Sequence, residues 1–189
     1  MYDSFRYGFN AGSAITITGP DQSSIISIST VNTTLAAASS CASALGANYI
    51  IVERTTGEGE FSLKAALNGC LSGLVAITGG CALCEPWAAV VIGLLAGLLY
   101  LASSTLLVRW LIDDAVDAIP VHMSNGLFGS IAVGFFASPE RLELVYGQAK
   151  HVGLIYSGDW LLLGIQCCGI LSVFTWVTAL MFPFFCVLK

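Results

Sequence analysis

The sequence predicts an all-α integral membrane protein: five transmembrane helices preceded by an N-terminal half-helix. Three observations lead there. Of its 189 residues, 56% are hydrophobic and only 10% charged, and the mean hydropathy is +0.83. A soluble domain carries about a quarter charged residues, so the solvent expected for this chain is the lipid bilayer. Five stretches (22–52, 65–84, 86–108, 118–139 and 160–188) contain no Asp, Glu, Lys or Arg, and each reaches the roughly 20 residues that a crossing needs. The segments joining the later stretches are short and hold most of the charge, as turns between antiparallel spans do.

The half-helix comes first. Residues 7–14, Tyr7-Gly8-Phe9-Asn10-Ala11-Gly12-Ser13-Ala14, are too few to span and follow the charged Asp3 and Arg6. They read as the tail of a helix whose beginning is missing. Residues 1–20 lack a basic segment followed by an apolar core, so no signal peptide is expected. Phe9 and Ser13 are four apart and share a helical face. An aromatic ring and a hydroxyl on one face can stack on and hydrogen-bond a small cation; plain helix packing explains the pair equally well.

The stretch 22–52 is too long and too polar at its start, which places the beginning of its helix near Ser29 or Thr30. Pro86 suits the first turn of the third span, where its missing N–H costs nothing. Pro183 is expected to kink the last helix near its end. Small residues repeat at a spacing of four in Gly69 and Gly73, in Gly93 and Gly97, and in Gly126, Ser130 and Gly134. In lipid, such faces let helices approach closely, so they predict packing surfaces in a tight bundle.

Seven cysteines all fall in apolar stretches. An odd, buried set reads as small packing residues rather than a disulfide framework. Cys81-Ala82-Leu83-Cys84 has redox or metal spacing, but no second pair or nearby histidine completes a site, and no metal or cofactor is expected. The net charge of −5 sits in short loops, and no basic patch points to nucleic acid. Lys and Arg set orientation in membranes. Arg54, Lys64, Arg109 and Lys189 fall on one side, Arg141 and Lys150 on the other, which favours a cytoplasmic C-terminus.

Chemistry concentrates around residues 113–129. Asp113 and Asp114 stand at the membrane edge, where carboxylates cap helices and favour the helix dipole. Asp117 lies deeper and either caps the helix or holds a facing segment. His122 falls inside the uncharged stretch 118–139. An ionisable side chain in a membrane span is costly and is a functional candidate by default. A neutral imidazole both donates and accepts hydrogen bonds, so it can line a narrow path for a small polar molecule. His151, beside Lys150 in a loop, reads as exposed.

These residues resemble the ammonium transporter family (Amt, Mep and Rh proteins). Gly8-Phe9-Asn10-Ala11-Gly12-Ser13 looks like the family's sixth-helix segment, residues 68–82 its eighth helix, residues 112–122 the start of its tenth, and Gly164-Ile165-Gln166 followed by Trp176 its eleventh. The resemblance implies a fold of eleven helices, two inverted five-helix repeats plus a last helix, assembled as a homotrimer with one pore per subunit. Inverted repeats with the pathway at their interface are a common transporter plan. This chain would match the second repeat and the last helix only, as one partial transporter domain over 1–189.

Carried over by position, Phe9 would be one of two stacked rings closing the outer mouth. Ser13 would hydrogen-bond ammonium at the outer recruitment site, and His122 would be the second of the paired pore histidines. Asp117, with Asp114, would support the fold near the cytoplasmic end of the pore. The implied substrates are ammonium, ammonia and methylammonium. Ammonium would be recruited, deprotonated and conducted as the neutral molecule, and the protein would reside in the plasma membrane. It would not be an enzyme.

The departures matter too. The first repeat, with its partner histidine, second gate aromatic, outer-site tryptophan and supporting acid, is unmatched. Arg6 and Tyr7 stand where the family has Trp and Phe, and Met123-Ser124-Asn125 follow His122 where most members have Gly after the histidine. No long cytoplasmic tail follows the last helix. The chain is therefore expected to be a fragment, from a truncated product or an incomplete gene model, that forms no competent pore alone. A non-transporting subunit that modulates full-length transporters is the alternative. An intramembrane redox enzyme built on Cys81 and Cys84 is a remote third.

Overall fold

In a computed structural model of the chain, residues 22–188 are described together with Gly8, Asn10 and Gly12. Phe9 and Ser13 lie outside the described residues. The regular elements are helical: α1 (Gln22–Thr56), α2 (Leu63–Ile77), α3 (Pro86–Arg109), a π-helical segment (Ile119–Ser124) running into α4 (Asn125–Phe136), then α5 (Pro139–Tyr146), α6 (Leu154–Ser157) and α7 (Leu161–Leu188). An isolated bridge between Cys84 and Ala137 is the β-type contact among them.

Four helices are long and apolar enough to cross a membrane: α1, α3, the joined segment Ile119–Phe136, and α7. The stretch 65–84, expected as a fifth, yields only the 15 residues of α2. That is roughly 22 Å of helix, against about 30 Å of hydrocarbon. Thr78-Gly79-Gly80 ends it. The Gly80 N–H donates to the Ile77 carbonyl at 2.9 Å, and the Leu83 and Cys84 N–H groups both donate to the Gly80 carbonyl. Three more carbonyls of this turn find donors elsewhere. Asn32 of α1 donates through Nδ2 to Cys81 O at 2.8 Å and Cys84 O at 2.7 Å, and the Ser138 N–H reaches Leu83 O at 2.9 Å. Irregular backbone is tolerated in a membrane protein where protein groups satisfy it in this way.

The first helix also differs from expectation. It is already helical at Gln22 and runs for 35 residues. In its polar start Ser27, Ser29, Thr30 and Thr33 each donate to the carbonyl four residues back. Hydroxyls satisfied on their own helix need no outside partner.

α1, α2 and α3 pack together as the core of the molecule. The contacts are built from small residues. A Cβ at Gly73 or at Gly93 would collide with the Ala36 carbonyl, and one at Gly97 would meet the Ser40 carbonyl. So α1 is clasped from two sides, by the glycines of α2 and of α3. The fully buried side chains between them are mostly Ala, with Ile77 and Ile92 filling the wider gaps. Where lipid is as apolar as the protein, such close contact supplies the association energy.

Beyond the core, Pro86 occupies the first turn of α3, and Glu85 just before it holds Arg141 of α5. The guanidinium offers Nε at 2.9 Å and a terminal nitrogen at 3.2 Å to the two carboxylate oxygens. This hydrogen bond raises the Arg141 pKa above its ordinary value. His151 nearby is half-buried rather than exposed. α7 lies along α4, where a Cβ on Gly134 would sit 2.8 Å from Leu163 Cα. None of its residues is buried, and Pro183 stands within it. Cys167, Cys168 and Cys186 on α7 are exposed, so they are not the buried packing residues expected of the cysteines; Cys81 and Cys84 are buried.

Candidate functional site

The loop after α3 delivers His122. Its two functional carboxylates do different work. Asp114 accepts the Ala118 N–H at 2.9 Å and the Ile119 N–H at 2.7 Å, so it caps the segment that follows. Asp117 is turned away from its own helix, in the left-handed region with φ 54°. That conformation is uncommon outside glycine, with Asp among the more tolerant residues. It aims the carboxylate into the gap between α2 and α3. There Oδ2 accepts from Asn68 Nδ2 at 2.9 Å and Tyr100 Oη at 3.0 Å, and lies 2.8 Å from Lys64 Nζ. Burial alone would push this carboxyl up. The bonds from Lys64, Tyr100 and Asn68 outweigh it and hold the carboxyl below its ordinary range. Asp113 is exposed.

From that anchor the chain enters the π-helical segment Ile119–Ser124. Pro120 brings no N–H to the ladder. Asn125, fully buried five residues on, donates through Nδ2 to the Pro120 carbonyl at 2.8 Å, and its backbone N–H reaches the His122 carbonyl. Single turns of π-helix are frequent at functional sites. Here Val121 is buried in a cluster with Ala44 and Tyr100, while His122 and Met123 are exposed.

His122 borders two clefts. One, of about 510 Å³, runs between α4 and α7, with His122, Gly126 and Ser130 facing Gln166 and Ile170. The other, of about 330 Å³, lies against the end of α2, with the same three residues facing Val75 and Thr78. The imidazole therefore stands on the ridge between them. The other polar groups are uncharged. Ser130 and Thr78 donate their hydroxyl protons to Gly126 O and Leu74 O on their own turns. Among the described residues no group of His, Cys, Asp and Glu could hold a metal.

Two of the residues assigned to packing thus line the clefts instead. Gly126 and Ser130 follow His122 at four and eight, one helical face, and a Cβ on Gly126 would meet only Val75 Cγ1 at 4.0 Å. The close contact is made by Gly129, whose added Cβ would strike Ala76 O. Asp114 and Asp117 are not brought to the clefts; they stand behind the segment that carries His122. Asn125, named in the sequence beside His122 but given no role there, holds that segment from within.

The sequence profile described as the Ammonium Transporter Family matches residues 4–189. A putative ammonium transporter 1 of Caenorhabditis elegans is 35% identical over 187 residues, covering 96% of this chain and 33% of the relative. A putative ammonium transporter of Synechocystis is 42% identical over 154 residues, covering 82% of this chain and 33% of the relative. Among solved structures, Saccharomyces cerevisiae Mep2 superposes with a TM-score of 0.79 at 26% identity, over 93% of this chain and 36% of Mep2. A Sensor Amt Protein gives 0.74 at 33% identity, over 97% and 40%. The chain spans about a third of the length of these curated relatives.

Proposed function

Since this chain belongs to the ammonium transporter family, we propose that it forms one wall of an ammonium-conducting pore, with His122 facing the path. The observation that carries this reading is the placement of His122. It is an imidazole on an uncharged membrane segment, exposed on a ridge between two clefts whose other polar groups are neutral. Such a lining suits ammonia, which can accept from or donate to an imidazole nitrogen, and it offers a bare cation no carboxylate. Ammonium is therefore deprotonated before it reaches this depth, and the neutral molecule passes His122 while the proton moves separately. Methylammonium takes the same route.

The chain corresponds to the second inverted repeat and last helix of a longer transporter, which works as a homotrimer in the plasma membrane with its C-terminus in the cytoplasm. The opposite pore wall is supplied by a segment outside this chain. Phe9 is one of the rings over the outer mouth and Ser13 a hydrogen-bond acceptor for the entering cation. Asp114 and Asp117 support the His122 segment without touching substrate. The test is uptake of labelled methylammonium by yeast lacking its own ammonium transporters and expressing the full-length transporter that carries this segment. His122→Ala is expected to reduce uptake by roughly a hundredfold, the scale of losing a positioned proton-handling group. Unchanged uptake with normal surface expression would remove His122 from the path.

A further inference from the structure

α2 turns one edge toward the back of the His122 segment, and the two stretches of chain run side by side in a single register. Lys64 Nζ lies 2.8 Å from Asp117 Oδ2. Farther along, a Cβ on Gly129 would strike the Ala76 carbonyl oxygen, and one on Gly80 would lie 3.5 Å from Val133 Cγ2. The partners in these three contacts are equally far apart in sequence, so the register holds from the start of α2 to the turn beyond it. That register sets Ser72 opposite Asn125. Both are fully buried. The Ser72 hydroxyl and the Asn125 amide oxygen each lack a hydrogen-bond partner among the described residues, while the nitrogen end of the same amide donates to the Pro120 carbonyl at 2.8 Å.

We propose that Ser72 and Asn125 are a pair of positioning residues that aim His122 at the clefts, the Ser72 hydroxyl donating to Asn125 Oδ1 while Asn125 Nδ2 holds the Pro120 carbonyl. Buried polar atoms are nearly always paired, and a hydroxyl that turns about one bond complements a carbonyl oxygen. The pairing also decides which way round the amide sits. With the hydroxyl on Oδ1, the nitrogen end faces Pro120; reversed, two oxygens would oppose each other. The orientation matters because Pro120 and His122 share the π-helical segment Ile119–Ser124, which holds more residues per turn than an α-helix does. Relaxing it to α geometry would swing His122 by on the order of 100°, one residue's turn, and take the imidazole off its ridge. Neither Ser72 nor Asn125 lines either cleft, so neither touches substrate and their effect on transport runs through His122. For that effect the inference rests on the pore reading of His122; the aim of the imidazole is independent of it.

The experiment treats the full 189-residue chain, purified in mild detergent, with diethyl pyrocarbonate and follows carbethoxylation of its two histidines by mass spectrometry. His122 is exposed, and half-buried His151 is the internal reference. Asn125→Leu, close in volume but without an amide, is expected to lower the ratio of the His122 rate to the His151 rate roughly fivefold, the scale of one buried hydrogen bond. Ser72→Ala should lower it by a similar factor. The double variant should lose no more than Asn125→Leu alone, because residues that act through one bond are not additive. Melting followed by circular dichroism shows which variants are folded, and Ser72→Ala, which removes a single oxygen, carries the test if Asn125→Leu does not fold. An unchanged ratio in a folded variant overturns the inference, and so do independent, multiplicative losses in the double variant. Methylammonium uptake by the full-length transporter bearing the same substitutions separates the two readings. Uptake is expected to fall with the ratio; a fall in His122 reactivity at full uptake would leave the positioning intact and remove His122 from the path.

Discussion

Asp117 ties α2 to α3 at its end of the bundle. Its carboxylate joins Lys64 and Asn68 of α2 to Tyr100 of α3, directly behind the segment that carries His122. Its pKa is held below the ordinary carboxyl range by the bonds from Lys64, Tyr100 and Asn68, which outweigh burial. A carboxyl depressed in the folded state contributes stability above its ordinary value and loses it as pH falls through the folded value. The fold is therefore expected to weaken below about pH 4, and Asp117→Asn to flatten that part of the profile. Thermal unfolding in detergent followed by circular dichroism between pH 3 and 7 checks this; an unaltered acid limb would mean another group governs it. Lys64 is 63% exposed, so water screens the pair and the hydrogen bonds from Tyr100 and Asn68 matter more. This acidic run was legible in the sequence as three carboxylates within five residues at the edge of an uncharged span. It left open whether Asp117 caps or reaches across, since the answer depends on α2 and α3, remote in sequence. The role of Asn125 went unread for a different reason. Its role exists only if the helix turns with π geometry, and a proline followed by a buried amide five residues later was the available signal.

At the level of helices, the small-residue spacing was the legible part. Gly69, Gly73, Gly93 and Gly97 do meet α1 as closely as their repeat suggested. Gly73→Val is expected to destabilise the bundle by about 1–3 kcal/mol, because the added methyls strike the Ala36 backbone and cannot be accommodated by a rotamer change. Loss of melting temperature in the same detergent measures it; a silent substitution would mean that α1 and α2 can part without penalty. Gly126→Ala, which meets nothing nearer than 4.0 Å, serves as the control. The early end of α2 was not read because hydropathy stays high through Cys84, and apolarity alone does not distinguish helix from buried turns. What decides it is Asn32, 49 residues from Cys81, whose amide donates to the Cys81 and Cys84 carbonyls of the turn that replaces the helix. The start of α1 was misjudged for the converse reason: its hydroxyls are polar in the sequence but internally satisfied in the helix.

For the molecule as a whole, the proposed reading of His122, exposed on an open cleft, requires that the rest of the pore wall come from residues outside this chain. Reconstituted alone in liposomes, the 189 residues are expected to give no ammonium-dependent pH change above that of empty vesicles, while a full-length transporter containing them does. Flux from the isolated chain would mean that copies of it enclose a path by themselves. The all-helical membrane fold was legible from composition and uncharged stretches, because lipid admits so few backbone arrangements. The way α7 is held was not. It is the longest apolar element after α1, yet it leans on the rest of the described protein chiefly along α4, with none of its residues buried. Most positions on this helix are therefore free of constraint from the other described residues. Substitutions there should accumulate in step with whatever surrounds the protein, lipid or neighbouring subunit, while the contact of Leu163 with Gly134 stays put. In a set of related sequences, α7 would record the history of the protein's surroundings and α1 the history of its fold.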